Sequence, residues 1–259
     1  LSVEVLVATM HQNDTSLIQQ MNLQSDAIII NQTNEYNYEK IMNHSNTVHM
    51  YSFAERGVGL SRNNALMRST ADYALLADDD MVYVEHYPEL VEKSFEKHPD
   101  ADLIIFNLEE EEPTRYVIRK DFRVRKRNYM RFGAARVAFR TDRIKKKGIS
   151  FHLLFGGGTP HSNGEDTIFL KDCLEKGLKI IAVPVTIAKL TEERESTWFK
   201  GYTEKYYRDR GALFKVLSPM FYHLVILQFI VRKYKKNQNM PSRTKQFQYM
   251  LEGANEMKN

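Results

Sequence analysis

The sequence predicts an α/β protein with a mostly parallel central sheet flanked by helices, followed by a helical C-terminal extension. Three observations carry this expectation. Short apolar runs rich in β-branched residues alternate with segments of helical period over the first half of the chain, as parallel strands joined by crossover helices do. Three of those runs end in polar residues (Thr9 to Asn13, Asn31 to Asn34, Asp78 to Asp80), as expected at the ligand-binding edge of such a sheet. The 259 residues, 42% of them hydrophobic, suffice for one sizeable core.

The elements follow in order. "VEVLVATM" (3–10) reads as a strand and "DTSLIQQMNL" (14–23) has helical spacing. "DAIIINQ" (26–32) and "TVHMYSF" (47–53) are the next strands. "SRNNALMRST" (61–70) opens with a serine suited to an N-cap and reads as a helix. "DYALLADDD" (72–80) is a strand, "YPELVEKSFEKH" (87–98) an amphipathic helix and "DLIIFNLE" (102–109) a strand. Residues 109–140 are charged and alternating, a strand-like meander or loop region. A glycine-rich loop and a helix fill 151–180, and "IIAVPVTIAKL" (180–190) returns to strand character. From 197 onward the pattern is mostly helical, with an apolar patch at 219–231. The expected division is a nucleotide-binding and catalytic domain over 1–190 and a helical extension over 191–259.

A net charge of +4 suits acidic ligands such as phosphates or anionic lipid. The basic strip "RYVIRKDFRVRKR" (115–127) lacks the stacking motifs and zinc spacings of nucleic-acid modules, so no nucleic-acid partner is expected. A solvated face is its plain reading, and a surface toward charged lipid or an anionic acceptor the next. Cys173, the single cysteine, lies in a helical pattern and reads as a buried structural thiol, which fits a reducing compartment. No signal peptide pattern is visible, and no run reaches the roughly 18–20 apolar residues of a spanning helix. The expectation is a cytoplasmic protein, with "SPMFYHLVILQFIVRKYKK" (218–236) either packing on the core or attaching to the inner face of the membrane.

Three constellations could carry chemistry. Asp78, Asp79 and Asp80 end a buried strand. Hard cations prefer oxygen ligands, and alternation in extended chain would set Asp78 and Asp80 on one side, facing a divalent metal. An acidic turn is the bland alternative. "GVGLSRNNA" (57–65) combines backbone amides, a helix start and the Arg62 guanidinium, which suits a diphosphate. An ordinary capped helix with a solvated Arg62 explains it equally. Glu165 and Asp166 open a helix after "FGGGTPHSNG". Acidic residues there stabilise any helix, or one of them is a general base.

In this order the three segments resemble family 2 glycosyltransferases of the GT-A fold, the group that includes bacterial capsule and exopolysaccharide transferases. The segments are "SRNNALMRSTADYALLADDD" and "GEDTIFL", and the resemblance covers residues 1–190. It implies a nucleotide-sugar donor, most naturally a uridine one, and a glycan or lipid-linked glycan acceptor. It implies Mn²⁺ or Mg²⁺ held by Asp78 and Asp80, with Asp79 touching the sugar or ribose. It makes Asp166 the base of an inverting reaction, with Glu165 as fallback. It sets Arg62 near the donor nucleotide, and Thr9, Met10 and Gln12 in the loop around base and ribose. Family members commonly carry acidic residues after the second strand; here Asn31 and Gln32 stand there, and an amide can still pair with a pyrimidine edge. Gly157 and Gly158 would let backbone approach the sugar, or form a plain flexible loop. Trp198 and its neighbouring tyrosines would stack on an acceptor sugar, or pack a helix on the core.

Two rivals share parts of this pattern. Sugar-phosphate nucleotidyltransferases place a glycine-rich loop right after the first strand, where this chain has "ATMHQND" with no glycine. A catalytically silent glycan-binding or assembly subunit would not need the intact acidic motifs.

Overall fold

The computed structural model describes residues 1–110, 115–191, 201–233 and 240–257. It divides into two compact units, one of Leu1–Leu153 with Glu165–Arg194, the other of Leu154–Gly164 with Glu195–Asn259.

The first unit is an α/β sandwich around a ten-stranded sheet. In chain order its elements are β1 (Val3–Met10), α1 (Leu17–Gln20), β2 (Asp26–Gln32), β3 (Asn37–Asn43), β4 (Asn46–Phe53), α2 (Val58–Arg68), β5 (Tyr73–Asp78), β6 (Met81–Tyr83), α3 (Tyr87–Lys97), β7 (Leu103–Glu109), β8 (Phe122–Arg123), β9 (Val137–Arg140), α4 (Thr141–Lys146), α5 (Glu165–Glu175) and β10 (Ile180–Leu190). The sheet order is β3-β4-β2-β1-β5-β9-β7-β10-β6, with β8 pairing β10. Strands β1, β2, β4, β5, β7 and β10 run one way, and β3, β6, β8 and β9 oppose them. The expected mostly parallel sheet is therefore present, with an antiparallel β9 wedged between β5 and β7. Apolar side chains fill both faces. Val5, Val7, Leu75, Tyr87 and Phe95 lie in one layer, and Leu6, Leu76, Ile105, Phe139 and Phe169 in the other. Alternate residues of the same strands thus feed opposite cores.

Several elements differ from the expected ones. The helix expected at 14–23 is a single turn, Leu17–Gln20, closed by Asn22 in the left-handed region (φ 52°). The outer hairpin strand β3 was not anticipated, because its residues are almost all exposed and carry no apolar alternation. It is held by its register with β4 and by a row of rings, Tyr38, His49, Tyr51 and Phe53, beside which the Arg68 guanidinium lies 4.7 Å from the Tyr51 ring. Ser61 is not a cap. Helix α2 starts at Val58 after Gly57, whose φ of 118° favours glycine. The charged stretch after 110 is mostly loop rather than strand. The Asn107 amide exchanges two hydrogen bonds with the backbone of Ile118, each 2.9 Å, and so pins this loop as a strand partner would. Residues 111–114 lie outside the described residues.

The second unit contains α6 (Glu204–Leu217), α7 (Tyr222–Lys233) and α8 (Arg243–Glu256), together with the glycine-bearing loop 154–164. Helices α6 and α8 cross at two glycines: a Cβ on Gly211 would lie 1.8 Å from the Met250 carbonyl oxygen, and one on Gly253 1.9 Å from that of Arg208. Tyr207, Phe214, Ile226, Ile230 and Met250 form its core. Among the described residues no helix is long and apolar enough to cross a membrane.

Candidate functional site

The carboxyl ends of β1, β2, β4 and β5 share one edge of the sheet, because these strands run the same way. At that edge sits a buried arginine. Arg62 is carried on the inner side of α2 and is 4% exposed. Its Nη2 donates to Asp78 Oδ1 at 2.8 Å and its Nη1 to Glu165 Oε1 at 2.9 Å. The guanidinium also lies 5.4 Å from the Phe151 ring centroid. Its Nε is buried with no hydrogen-bond partner among the described residues. Burial alone would make this arginine easier to deprotonate; Asp78, Glu165 and Asp166 override that and hold its charge more firmly than usual.

One guanidinium thus serves three carboxylates, and the acids register the shortage. Burial first, then the neighbouring Asp166, pushes Glu165 up to about 7 against the pull of Arg62. Asp166 is raised too, chiefly by burial. Its carboxylate accepts from the Thr167 N–H at 2.7 Å and from the backbone at Ala134. A Cβ on Gly133 would approach Asp166 Oδ2 to 3.2 Å, so a glycine there leaves the carboxylate room.

The aspartate triplet does not continue the strand. β5 ends at Asp78, and Asp79 and Asp80 form a turn into β6. Strand alternation therefore does not sort the three side chains. Asp78 turns to Arg62, and Asp79 accepts a 2.5 Å hydrogen bond from Thr9 Oγ1. Burial and the charges of Asp78 and Asp79 push Asp80 up to about 6.

No group of three or more His, Cys, Asp or Glu side chains among the described residues is arranged to hold a metal. The donor set nevertheless suits a hard cation. Mg²⁺ and Mn²⁺ commonly take one or two carboxylates and complete their shell with phosphate and water. Asp78 and Asp80 are the carboxylates at this edge that could serve in that mode, with Asp78 Oδ1 already accepting from Arg62.

The loop after β1 is built from predicted residues. Gln12 donates through Nε2 to Thr9 Oγ1 (2.9 Å) and through its backbone N–H to Asn31 Oδ1 (3.0 Å). Asn31 is fully buried and donates to the Gln12 carbonyl and to Ser52. Gln32 is buried as well, bonding Gly57 through both ends of its amide and Ser61 through its nitrogen. These two amides, expected to meet a base edge, instead brace the loop and the start of α2. Met10 is the exposed residue at the end of β1, and His11 turns the chain with φ 55°.

The structure therefore brings together Arg62, Asp78, Glu165 and Asp166, and beside them Thr9, Gln12, Asn31 and Asp79. Gly157 and Gly158 belong to the second unit, and Trp198 lies outside the described residues. Gly133 and Phe151 touch this cluster without any sequence signal, since each comes from a remote loop of unremarked composition.

No protein-family model matches the chain, and no curated protein matches it significantly. Solved structures do. The S. aureus TarS 1–349 structure in complex with UDP-GlcNAc aligns with a TM-score of 0.62 at 11% identity, over 91% of this chain and 77% of that one. The same segment in complex with UDP gives 0.57 at 12% identity, over 91% and 76%. A longer TarS chain gives 0.60 at 12% identity, over 92% and 44%. At such identity the similarity is one of fold.

Proposed function

We propose that this chain is a nucleotide-sugar glycosyltransferase that moves a sugar, with inversion, from a uridine diphosphate donor to a glycan or lipid-linked glycan in surface polysaccharide synthesis. The observation that carries the reading is the Arg62 bridge from Asp78 at the end of β5 to Glu165 at the start of α5. It draws three dispersed motifs into one cluster at the ligand-binding edge of the sheet. The TarS structures in complex with UDP-GlcNAc and UDP support a nucleotide-sugar donor through shared fold.

In this mechanism the acceptor hydroxyl oxygen attacks the anomeric carbon as the bond to the diphosphate breaks. Asp78 and Asp80 would hold a divalent ion, whose charge would offset that developing on the leaving diphosphate. Asp166 receives the hydroxyl proton. Its carboxyl, raised chiefly by burial, would take up that proton more readily than a solvated aspartate. Glu165, ion-paired to Arg62, positions the guanidinium instead. Thr9 orients Asp79 at the donor side, and Gln12 and Asn31 hold the loop that would border the base.

Thermal-shift screening of nucleotide-sugars with and without Mn²⁺ tests the proposal. Stabilisation by a uridine donor is expected, dependent on metal and absent in Asp80→Ala; silence toward every nucleotide removes the reading. Asp166→Asn is expected to keep donor binding and lose transfer by about 100- to 10,000-fold. Undiminished transfer would move the base elsewhere.

A further inference from the structure

Helix α7 buries Ile226 and Ile230 against its neighbours in the second unit. Its opposite side is apolar too. Leu224, Leu227 and Val231 are 64%, 53% and 64% exposed, and Met220 and Phe221 just ahead of the helix are 82% and 58% exposed. The i, i+3, i+7 spacing sets the three helical residues on one stripe. Scattered exposed apolar residues need no explanation, but a continuous stripe marks an interaction surface. Twelve residues make a helix about 18 Å long, too short to cross a bilayer.

The surrounding charge identifies the partner. From Arg210 to Leu251 the sequence holds eight Lys or Arg and no Asp or Glu. Arg232 is exposed directly after Val231, and Lys215 Nζ sits 4.5 Å from the Tyr222 ring centroid at the other end of the helix. An apolar stripe with Lys215 at one end and Arg232 at the other, within a stretch of sequence free of Asp and Glu, is the pattern of a helix lying in the plane of an anionic lipid interface. A second copy seated there would bring cations against cations, which opposes self-association.

We infer that α7 docks the second unit on a membrane surface rich in anionic phospholipid, with Leu224, Leu227 and Val231 at the acyl boundary and the flanking cations among the headgroups. This goes beyond the transferase reading, since lipid binding is measurable whether or not a sugar is transferred.

The test is flotation of the full chain with phosphatidylcholine vesicles, with and without phosphatidylglycerol. Flotation with the anionic vesicles is expected, falling at least about fivefold on neutral vesicles or in high salt. Leu224→Ser/Leu227→Ser should fall to the neutral level while melting as the wild type does, because both side chains are exposed. Arg232→Glu should weaken binding to anionic vesicles and leave any residual binding to neutral ones unchanged. Absence of flotation on anionic vesicles overturns the inference. So does undiminished flotation of the double variant, or a wild-type dimer that the double variant dissolves with flotation unaltered.

Discussion

The first unit groups three carboxylates around Arg62, the second holds Asp209 by itself, and the two sites are resolved in opposite ways. In the second unit Asp209 is 3% exposed and saturated with donors. His161 Nδ1 lies 3.2 Å from Oδ1, the Ser162 N–H and hydroxyl both donate to Oδ2, and Lys205 Nζ reaches both oxygens at 3.0 and 3.1 Å. Burial alone would raise its pKa; these hydrogen bonds hold it down at about 2. In the first unit Arg62 alone is shared among Asp78, Glu165 and Asp166, and the pKa values of Glu165 and Asp166 rise. A satisfied site locks a loop to a helix. An undersupplied one keeps affinity for a proton or a cation, which the proposed group transfer at a diphosphate would use. Burial is common to both; the supply of donors separates structure from chemistry.

The contrast is open to breakage. Arg62→Met would leave three carboxylates at the sheet edge without their cation, and an unfolding free energy lower by about 3–5 kcal/mol is expected from urea melts. A near-neutral result would mean that the acids are already protonated or solvated. Asp209→Asn should cost roughly 2 kcal/mol at pH 7. Its lowered pKa means that the wild-type contribution is present above the ordinary 3.8 and is lost as pH falls toward about 2. The variant should lack that acid-dependent part of the melt while any metal-dependent response to a uridine donor persists. The smallest effect is expected for Glu165→Gln. Glu165 rises from 4.5 to about 7, so in that window the folded chain binds more protons than the unfolded one. Stability from the protonated form is complete below 4.5 and declines as pH climbs to about 7. The variant should flatten that decline, and at pH 8 it should cost less than Arg62→Met, because Arg62 keeps its hydrogen bond to Asp78. A loss of several kcal/mol would show that Glu165 is the indispensable partner.

Much of this molecule was determined locally. The apolar runs at 3–10, 26–32 and 180–190 form strands with those same bounds, because β-branched residues buried on both faces leave little alternative. The polar ends of those strands, the acidic triplet and the Glu165–Asp166 pair were also legible as chemistry waiting for a partner. What the sequence could not hold was who partners whom. Strand β3 has no apolar face to announce it, and β9 enters the sheet only through pairing with β5 and β7, distant in the chain. Asn31 and Gln32 looked like base readers until burial committed their amides to Gln12, Ser52, Gly57 and Ser61. The meeting of Arg62 with Glu165 spans 103 residues. Local preferences select strands and helices over a few residues. The charge balance of a buried site is a sum over segments that only the folded chain brings within hydrogen-bond reach, and that sum set Asp209 apart from Asp166.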